Sequence, residues 1–300
     1  MRGRFRFGEQ TPAALIMAGP AMLGLILFIF TPFIAALVFS FTNLRLGSPL
    51  PITFVGVKQF QRIFTDPDFN RALANTFVFA SAVVPLQTAL ALGLALIVNL
   101  GVRGTVVFRA IFFMPVVFPM SLVSVVWILI YAPGPEGMMN AFLHLLTGGR
   151  WTARDFLRDP VLALPSIMLL SIWQGSGFQM VILLAGLQGI PKALYEAAAL
   201  DGAGVWHRFR HITLPQLRNP LLFVMMITTI LAFRLFDQVQ IMTRGGPDNA
   251  TTTVMYEMVQ AVFTRRQVAR ASAMTVVFFV LVMGVTWVQR RLTHPKRETE

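Results

Sequence analysis

Few residues in this sequence are equipped for chemistry, and their spacing limits what that chemistry can be. His207 and His211 stand four apart, a spacing that could bring two imidazoles to one metal ion. No third ligand or carboxylate pattern accompanies them, so no metal site is expected and contacts with headgroups or a partner are the simpler reading. Arg234 and Asp237 interrupt a long apolar run. A charge at the centre of a bilayer costs about 2.5–3.5 kcal/mol on insertion scales. Two opposite charges three apart share a helix face, where they either neutralise each other or line a polar path. The stretch Trp173, Gln174, Gly175, Ser176, Gly177, Phe178, Gln179 is polar and small within another apolar run. It either packs helices closely or lines a cavity. Trp173, Gln174 and Phe178 suit a ligand with C–H faces and hydroxyls, such as a sugar ring, and Gln87 is a further polar candidate.

Those runs must be positioned by something, and composition says what. The chain has 300 residues, 56% of them hydrophobic and only 13% charged. Soluble domains carry about 25% charged residues, so a soluble chain this apolar would lack a surface. The expected fold class is an all-α integral membrane protein with about six transmembrane helices, because a membrane barrel would alternate apolar and polar residues in short pieces. Runs of roughly 20 apolar residues place spans at about 13–40, 74–98, 108–131, 161–187, 219–241 and 271–289. The first run contains Pro20 and Pro32, which predicts a kink or tilt. Asp66-Pro67, ahead of the second span, reads as a turn.

The net charge of +12 does not point to nucleic acid, because the basic residues sit at the ends of apolar runs and form no stripe. Arg2, Arg4, Arg6, Arg103, Arg109, Lys192, Arg208, Arg210, Arg218, Arg290, Arg291, Lys296 and Arg297 lie in short segments close to span ends. Their density orients both termini to the cytoplasm. Arg2, Arg4 and Arg6 precede an uncharged run far longer than a signal peptide's core, which is read as a retained first span. The sequence reads as one membrane domain over residues 1–300. Residues 1–12, 189–218 and 290–300 are assigned to the cytoplasmic side, and three loops of moderate length to the other. There is no cysteine, which excludes disulfides and thiol chemistry.

The cytoplasmic segment Pro191–Pro215 reads PKALYEAAALDGAGVWHRFRHITLP. Leu194, Ala197, Ala198 and Asp201 follow at helical spacing. Gly202 permits a backbone turn. Val205, Trp206, Phe209 and Ile212 begin a second short helix that Leu214-Pro215 ends. Periodicity alone fits either an amphipathic loop on lipid headgroups or a docking element for another protein. No phosphate-binding G-x-x-x-x-G-K-[ST] loop occurs in the chain, so it has no visible site for ATP.

Glu196-Ala197-Ala198, then Asp201-Gly202-Ala203, then Phe209, Ile212, Leu214 and Pro215 resemble the EAA motif of ABC importer permeases. The resemblance implies that this loop seats in a groove of an ATP-hydrolysing subunit and passes its closure to the membrane helices. Glu196 would supply a carboxylate there, Ala197 and Ala198 close approach, and Gly202 the turn. A second match is to the maltose-type sugar permeases. Thr243, Gly245, Gly246, Pro247, Asn249 and Thr251 are similar to that branch's GGP segment. Phe54-Val55-Gly56 with Phe60, Asn75-Thr76, Arg109 with Met114-Pro115, and Ser272-Ala273 also resemble the branch. The large external domain of the enteric maltose permease has no counterpart here.

The resemblance implies a sugar importer in a bacterial cytoplasmic membrane, with the partners of that family. These are a second permease subunit of a different sequence, two ATP-hydrolysing subunits carrying ATP and Mg, and an external substrate-binding protein. This chain itself would bind no cofactor. A permease for another solute, such as a sugar phosphate or polyamine, stands as an alternative. So does a self-sufficient secondary transporter, although that class usually buries ionisable groups in several spans. An intramembrane enzyme would need a nucleophile and base facing each other at depth, and no histidine lies in an expected span.

Overall fold

The computed structural model describes residues 11–101 and 104–293. Of the basic residues that orient the chain, Arg2, Arg4, Arg6, Arg103, Lys296 and Arg297 lie outside them. The chain forms two compact units. One holds the chain up to Thr65 together with Met258–Phe279, and the other holds Asp66–Glu257 and the chain from Val280 onward.

In the first unit, α1 (Thr11–Leu25) and α2 (Thr31–Phe39) join through a π-helical turn at Ile26–Phe30. Pro32 cannot donate to the carbonyl one turn back, and its ring crowds that carbonyl. The wider turn absorbs the conflict: the Thr31 N–H reaches Ile26 O, and its hydroxyl donates to the same oxygen at 2.9 Å. Ile16–Phe39 is long and apolar enough to span a membrane. Beyond it, Phe41 packs between Phe54 and Phe60, with ring centroids 6.3 and 5.5 Å away. Gln59, on α3 (Lys58–Phe64), donates to Thr42 O at 3.0 Å and fastens this turn. The Phe54–Phe60 segment singled out in the sequence is thus a small aromatic cluster.

In the second unit, Asp66-Pro67 proves to be a helix start rather than a free turn. Asp66 is the N-cap of α4 (Pro67–Asn99), its Oδ1 accepting from the Asp68 N–H at 2.9 Å, and Pro67 holds the first helical position. With 33 residues, α4 is about 50 Å long, more than a bilayer's hydrocarbon requires. It packs along α8 (Ala163–Gln188). Ala91 and Ala95, one turn apart and fully buried, let α8 approach, and Met180, Leu183 and Leu184 fill the seam. Between membrane helices lipid is as apolar as leucine, so such seams hold by close van der Waals packing of small residues.

Two expected spans are broken. The third is two helices, α5 (Thr105–Val117) and α6 (Met120–Ile130), meeting at 102°, and the short α7 (Met138–Leu146) follows them. Pro119 is the cause. It forces Phe118 into extended geometry (φ −82°, ψ 141°) and removes the N–H that would have bonded Pro115 O. The fifth, α12 (Arg218–Phe233), stops well before the expected residue 241. The chain straightens over Leu235 and Phe236 and resumes as a π-helical turn at Val239–Thr243. The sixth span begins after α13 (Val254–Val259) as α14 (Val268–Thr293), the first half of which belongs to the first unit.

Candidate functional site: a cavity, a membrane-edge loop and a threonine-rich clasp

The loop between α8 and α12 consists of α9 (Lys192–Leu200), α10 (Val205–Arg208), a π-helical turn at Phe209–Thr213, and α11 (Leu214–Gln216). α9 ends in a Schellman motif. The Ala203 N–H donates to Ala198 O at 2.8 Å and the Gly202 N–H to Ala199 O at 3.1 Å, with Gly202 at φ +75°. Asp201 caps the helix end and is exposed, like Glu196, Ala197 and Pro215, while Ala198, Ala203 and Phe209 are half-buried. The loop is not a loose flap. The Tyr195 hydroxyl meets Thr213 Oγ1 at 2.9 Å, tying α9 to the second helix. Tyr195 and Ile212 also pack on the core of α4, α8 and α12 beside buried Leu217. Its outer face carries Leu200 (90% exposed), Val205 (78%) and Trp206 (69%), the last tilted on Phe209 at 5.6 Å. A rigid element tied to the bundle and faced with uncovered apolar side chains has the physical character of a docking surface. His207 and His211 stack at 4.0 Å on it, and among the described residues no group of three metal-ligating side chains exists.

Between α4, α8, α12 and the α5–α6 break lies a cavity of about 450 Å³. Gln174, Gly175 and Phe178 line it, as do Arg234 and Asp237. Trp173 does not. Its ring lies 5.6 Å from that of Trp127 on α6, on another face of α8. Arg234 and Asp237 are both exposed, and α12 ends at Phe233, ahead of both. The shared helix face that would have paired them does not form, and among the described residues no ion pair joins the two.

Gln87, the weaker candidate, is buried in the cavity wall against Gly175, where a Cβ on that glycine would collide with its amide. Sequence reasoning flagged Gln179 within its stretch but passed over Gln238, Ser171 and Thr228, and these four complete the polar lining. Their signal was present: an amide or hydroxyl within an expected span is costly and so worth flagging.

Gln174 also explains why the break in α5–α6 is tolerated. Its Nε2 donates to Phe118 O at 3.3 Å and to Pro115 O at 3.4 Å. Pro115 O is the carbonyl that Pro119 leaves without a helical partner. Irregular backbone at membrane depth persists only where such groups are satisfied or face a wet cavity.

The end of α12 is held by a clasp built from the Thr243–Thr253 segment. Thr253 Oγ1 donates to Leu235 O at 2.7 Å, satisfying a carbonyl at the break. Thr243 and Thr251 share a 2.7 Å hydroxyl contact, and Thr252 Oγ1 donates to Gly245 O at 3.0 Å. Gly245 has φ +85° and no room for a Cβ beside Thr252 and the Tyr256 ring. Asn75 of α4 donates to Asn249 O at 2.9 Å and Thr252 O at 3.0 Å, and the Val254 N–H donates to Thr76 Oγ1 at 3.1 Å. Asn75-Thr76 and the GGP segment, far apart in sequence, are therefore two halves of one clasp. Asn75→Leu is expected to strand two carbonyls and cost about 2 kcal/mol. The check is faster trypsin cleavage after exposed Arg244, together with a lower Tm of the purified protein.

Residues 87–297 match the family model described as "Binding-protein-dependent transport system inner membrane component". The chain belongs to this family. The matched range takes in the membrane-edge loop, the GGP half of the clasp and most of the cavity lining, while Asn75, Thr76, Phe79 and Val83 precede it. The chain is 36% identical over 294 residues to the sulfoquinovosyl glycerol transport system permease protein of Agrobacterium fabrum, covering 96% of this chain and 92% of that one. It is 33% identical over 293 residues to the diacetylchitobiose uptake system permease protein of Streptomyces coelicolor, covering 93% of this chain and 82% of the relative. In fold it is similar to a bacterial ABC transporter involved in the import of the acidic polysaccharide alginate. That match has a TM-score of 0.80 at 21% identity and covers 97% of this chain and 98% of the other. The protein is a multi-pass transport subunit of an inner-membrane system that depends on a binding protein. Its helices account for the spans, and the broken α5–α6 and α12 elements border the cavity.

Proposed function

We propose that this permease forms half of the translocation path of an ATP-driven carbohydrate importer, and that α9–α11 is where a separate ATP-hydrolysing subunit docks. The rigid, apolar, exposed face of that loop, tied through Tyr195 and Leu217 to the helices that wall the cavity, carries the reading. Force applied to Leu200, Val205 and Trp206 reaches α8 and α12 directly, because the loop shares their core. Closure of the ATPase would rock these helices about the cavity and expose it alternately to each side. Relatives that carry glycosides favour a carbohydrate.

The assembly would include a second permease of different sequence, two ATPase subunits holding ATP and Mg, and an external binding protein. Both termini would lie in the cytoplasm. The test is to purify the tagged chain from its host in mild detergent and assay the eluate for ATP hydrolysis. Activity should co-elute with the wild type and fall at least about tenfold for Glu196→Lys, which reverses a charge at the docking face. A lone chain without ATPase activity that still transports solute in liposomes would overturn the reading.

A further inference from the structure

The segment between α6 and α8 is folded inside out for a loop in water. Its polar centre is buried. Asn140, on α7 and only 1% exposed, donates from Nδ2 to Arg154 O at 2.9 Å and to Ala132 O at 3.4 Å. Its Oδ1 accepts from the Trp151 Nε1–H and the Arg154 N–H, both at 3.0 Å. Phe156 stacks between Tyr131 and Trp151, with ring centroids 5.3 and 6.2 Å away, and the Tyr131 hydroxyl donates to Ser166 O of α8 at 3.0 Å. The other face of α7 is apolar and open. Met138, Phe142, Leu145 and Leu146, at helical spacing, are 54–79% exposed. A helix surrounded by water would turn such a stripe inward.

α7 is also held at the membrane end of α6. Six residues separate Tyr131 from Met138, and Gly137 packs so tightly on Ala132 O that a Cβ has no room there. The rings of Trp127, Tyr131, Phe156 and Trp151 run from α6 into this loop, and aromatic residues concentrate at the boundary between membrane and water. The loop's charges cancel. Arg150, Arg154 and Arg158 are matched by Glu136, Asp155 and Asp159. Arg154 pairs with Asp159 at 3.8 Å and Arg158 with Asp155 at 3.9 Å. A charged partner therefore finds little to recognise, and four side chains on one short helix fall well short of the roughly 20–30 residues a side of a stable protein interface.

We infer that α7 lies in the plane of the membrane surface and inserts Met138, Phe142, Leu145 and Leu146 among the upper acyl chains of the lipid, whatever the charge of the headgroups. Insertion of such a face, about 5–10 Å deep, removes its apolar surface from water without any protein partner. The Asn140 amide is already satisfied inside the loop, so insertion strands none of its polar atoms. The consequence is mechanical. The Asn140 bonds to Ala132 O and Arg154 O tie α7 to the end of α6, so the membrane surface sets the level of one arm of the α5–α6 break that borders the cavity.

The insertion stands apart from the importer reading, which co-eluting ATP hydrolysis decides separately; only the assignment to the outer leaflet rests on the topology proposed with it. The chain has no cysteine, so single cysteines report without background. Phe142→Cys, Leu145→Cys and, at an exposed polar position of the same loop, Thr152→Cys are labelled with a polarity-sensitive nitrobenzoxadiazole dye. Each full-length variant is reconstituted in nanodiscs of phosphatidylcholine, with or without phosphatidylglycerol, and with or without a lipid carrying a nitroxide high on its acyl chain. The dye on Phe142→Cys and Leu145→Cys should be quenched at least about twofold more than on Thr152→Cys. The quenching should be equal in both lipids and persist in about 0.5 M NaCl, where surface charge is screened. Equal quenching on all three variants overturns the inference, as does quenching that needs phosphatidylglycerol and vanishes in salt. Dye that is shielded only when partner subunits are added, with no quenching by lipid, assigns the face to a protein and also overturns it. Leu146→Cys replaces any labelled variant that does not elute with the wild type. An impermeant thiol reagent on wall-stripped cells reports the side: reaction of Thr152→Cys before lysis supports the outer leaflet, and reaction only after lysis overturns that assignment.

Discussion

Gly202→Val is expected to lower solute uptake by at least about tenfold while the protein still reaches the membrane. Gly202 sits at φ +75°, where an L-residue is strained by about 1–2 kcal/mol and a β-branched one by more. A Cβ built there meets nothing within 4 Å, so the cost is wholly one of backbone conformation. The two bonds that close α9, from Ala203 N–H to Ala198 O and from Gly202 N–H to Ala199 O, require that conformation. α9 has only nine residues and its outer face is exposed among the described residues, so little else can hold its end. Once it frays, Leu194 and Leu200 are no longer presented together with Val205 and Trp206. Gly202→Asn provides the control, since asparagine tolerates the left-handed region and should keep most of the uptake. Uptake by whole cells and ATP hydrolysis by their membranes are measured side by side. Hydrolysis that persists without transport in Gly202→Val would identify the loop as the coupling element. Equal uptake by all three forms would remove it from that role.

The legible parts of this protein were those fixed by local or strongly periodic signals. Four helices long and apolar enough to span a membrane fall on expected runs, because an uninterrupted apolar run leaves no alternative. The α9–α10 turn was readable because Gly202 is a residue type with one conformational advantage. The break at Phe118–Pro119 was also written in the sequence, since proline restrains its predecessor, but an apolar run of sufficient length masked it. The end of α12 at Phe233 was not written locally, because no proline or glycine lies between Leu231 and Gln240. It is stabilised from a distance by Thr253, eighteen residues on, which takes the freed Leu235 carbonyl. The same limit governs the cavity. Gln174 and Phe178 could be nominated from one helix, and Trp173 with them, because periodicity does not say which face of α8 turns inward. Gln238 and Thr228 became part of a site only when α12 was laid against α8. The clasp lay in view as two separate resemblances, Asn75-Thr76 and the GGP segment, and nothing short of the packing joins them.

Gly177→Ala and Gly175→Ala, two residues apart on α8, should fail in different ways. A Cβ at Gly177 would overlap the main-chain carbonyl of Phe112, and α5 cannot yield there without moving as a body. Forcing the two helices apart costs about 3 kcal/mol by analogy with overpacked cores. That corresponds to a fall in Tm of about 5–10 °C for a domain of this size, with less protein recovered from the membrane. It would also pull Gln174 away from Pro115 O and Phe118 O, which are already at 3.4 and 3.3 Å, and so unsettle the α5–α6 break. At Gly175 the obstacle is the amide end of Gln87, a flexible side chain that can swing aside. Gly175→Ala should therefore hold its Tm close to that of the wild type. Its uptake should change instead, because the displaced Gln87 amide and the new methyl group both intrude on the cavity. Thermal unfolding of the detergent-purified variants, paired with the uptake assay, separates the outcomes. If Gly177→Ala unfolds with the wild type, the close approach of α5 and α8 is not what holds the cavity wall in place. If Gly175→Ala transports unchanged, Gln87 does not face the solute.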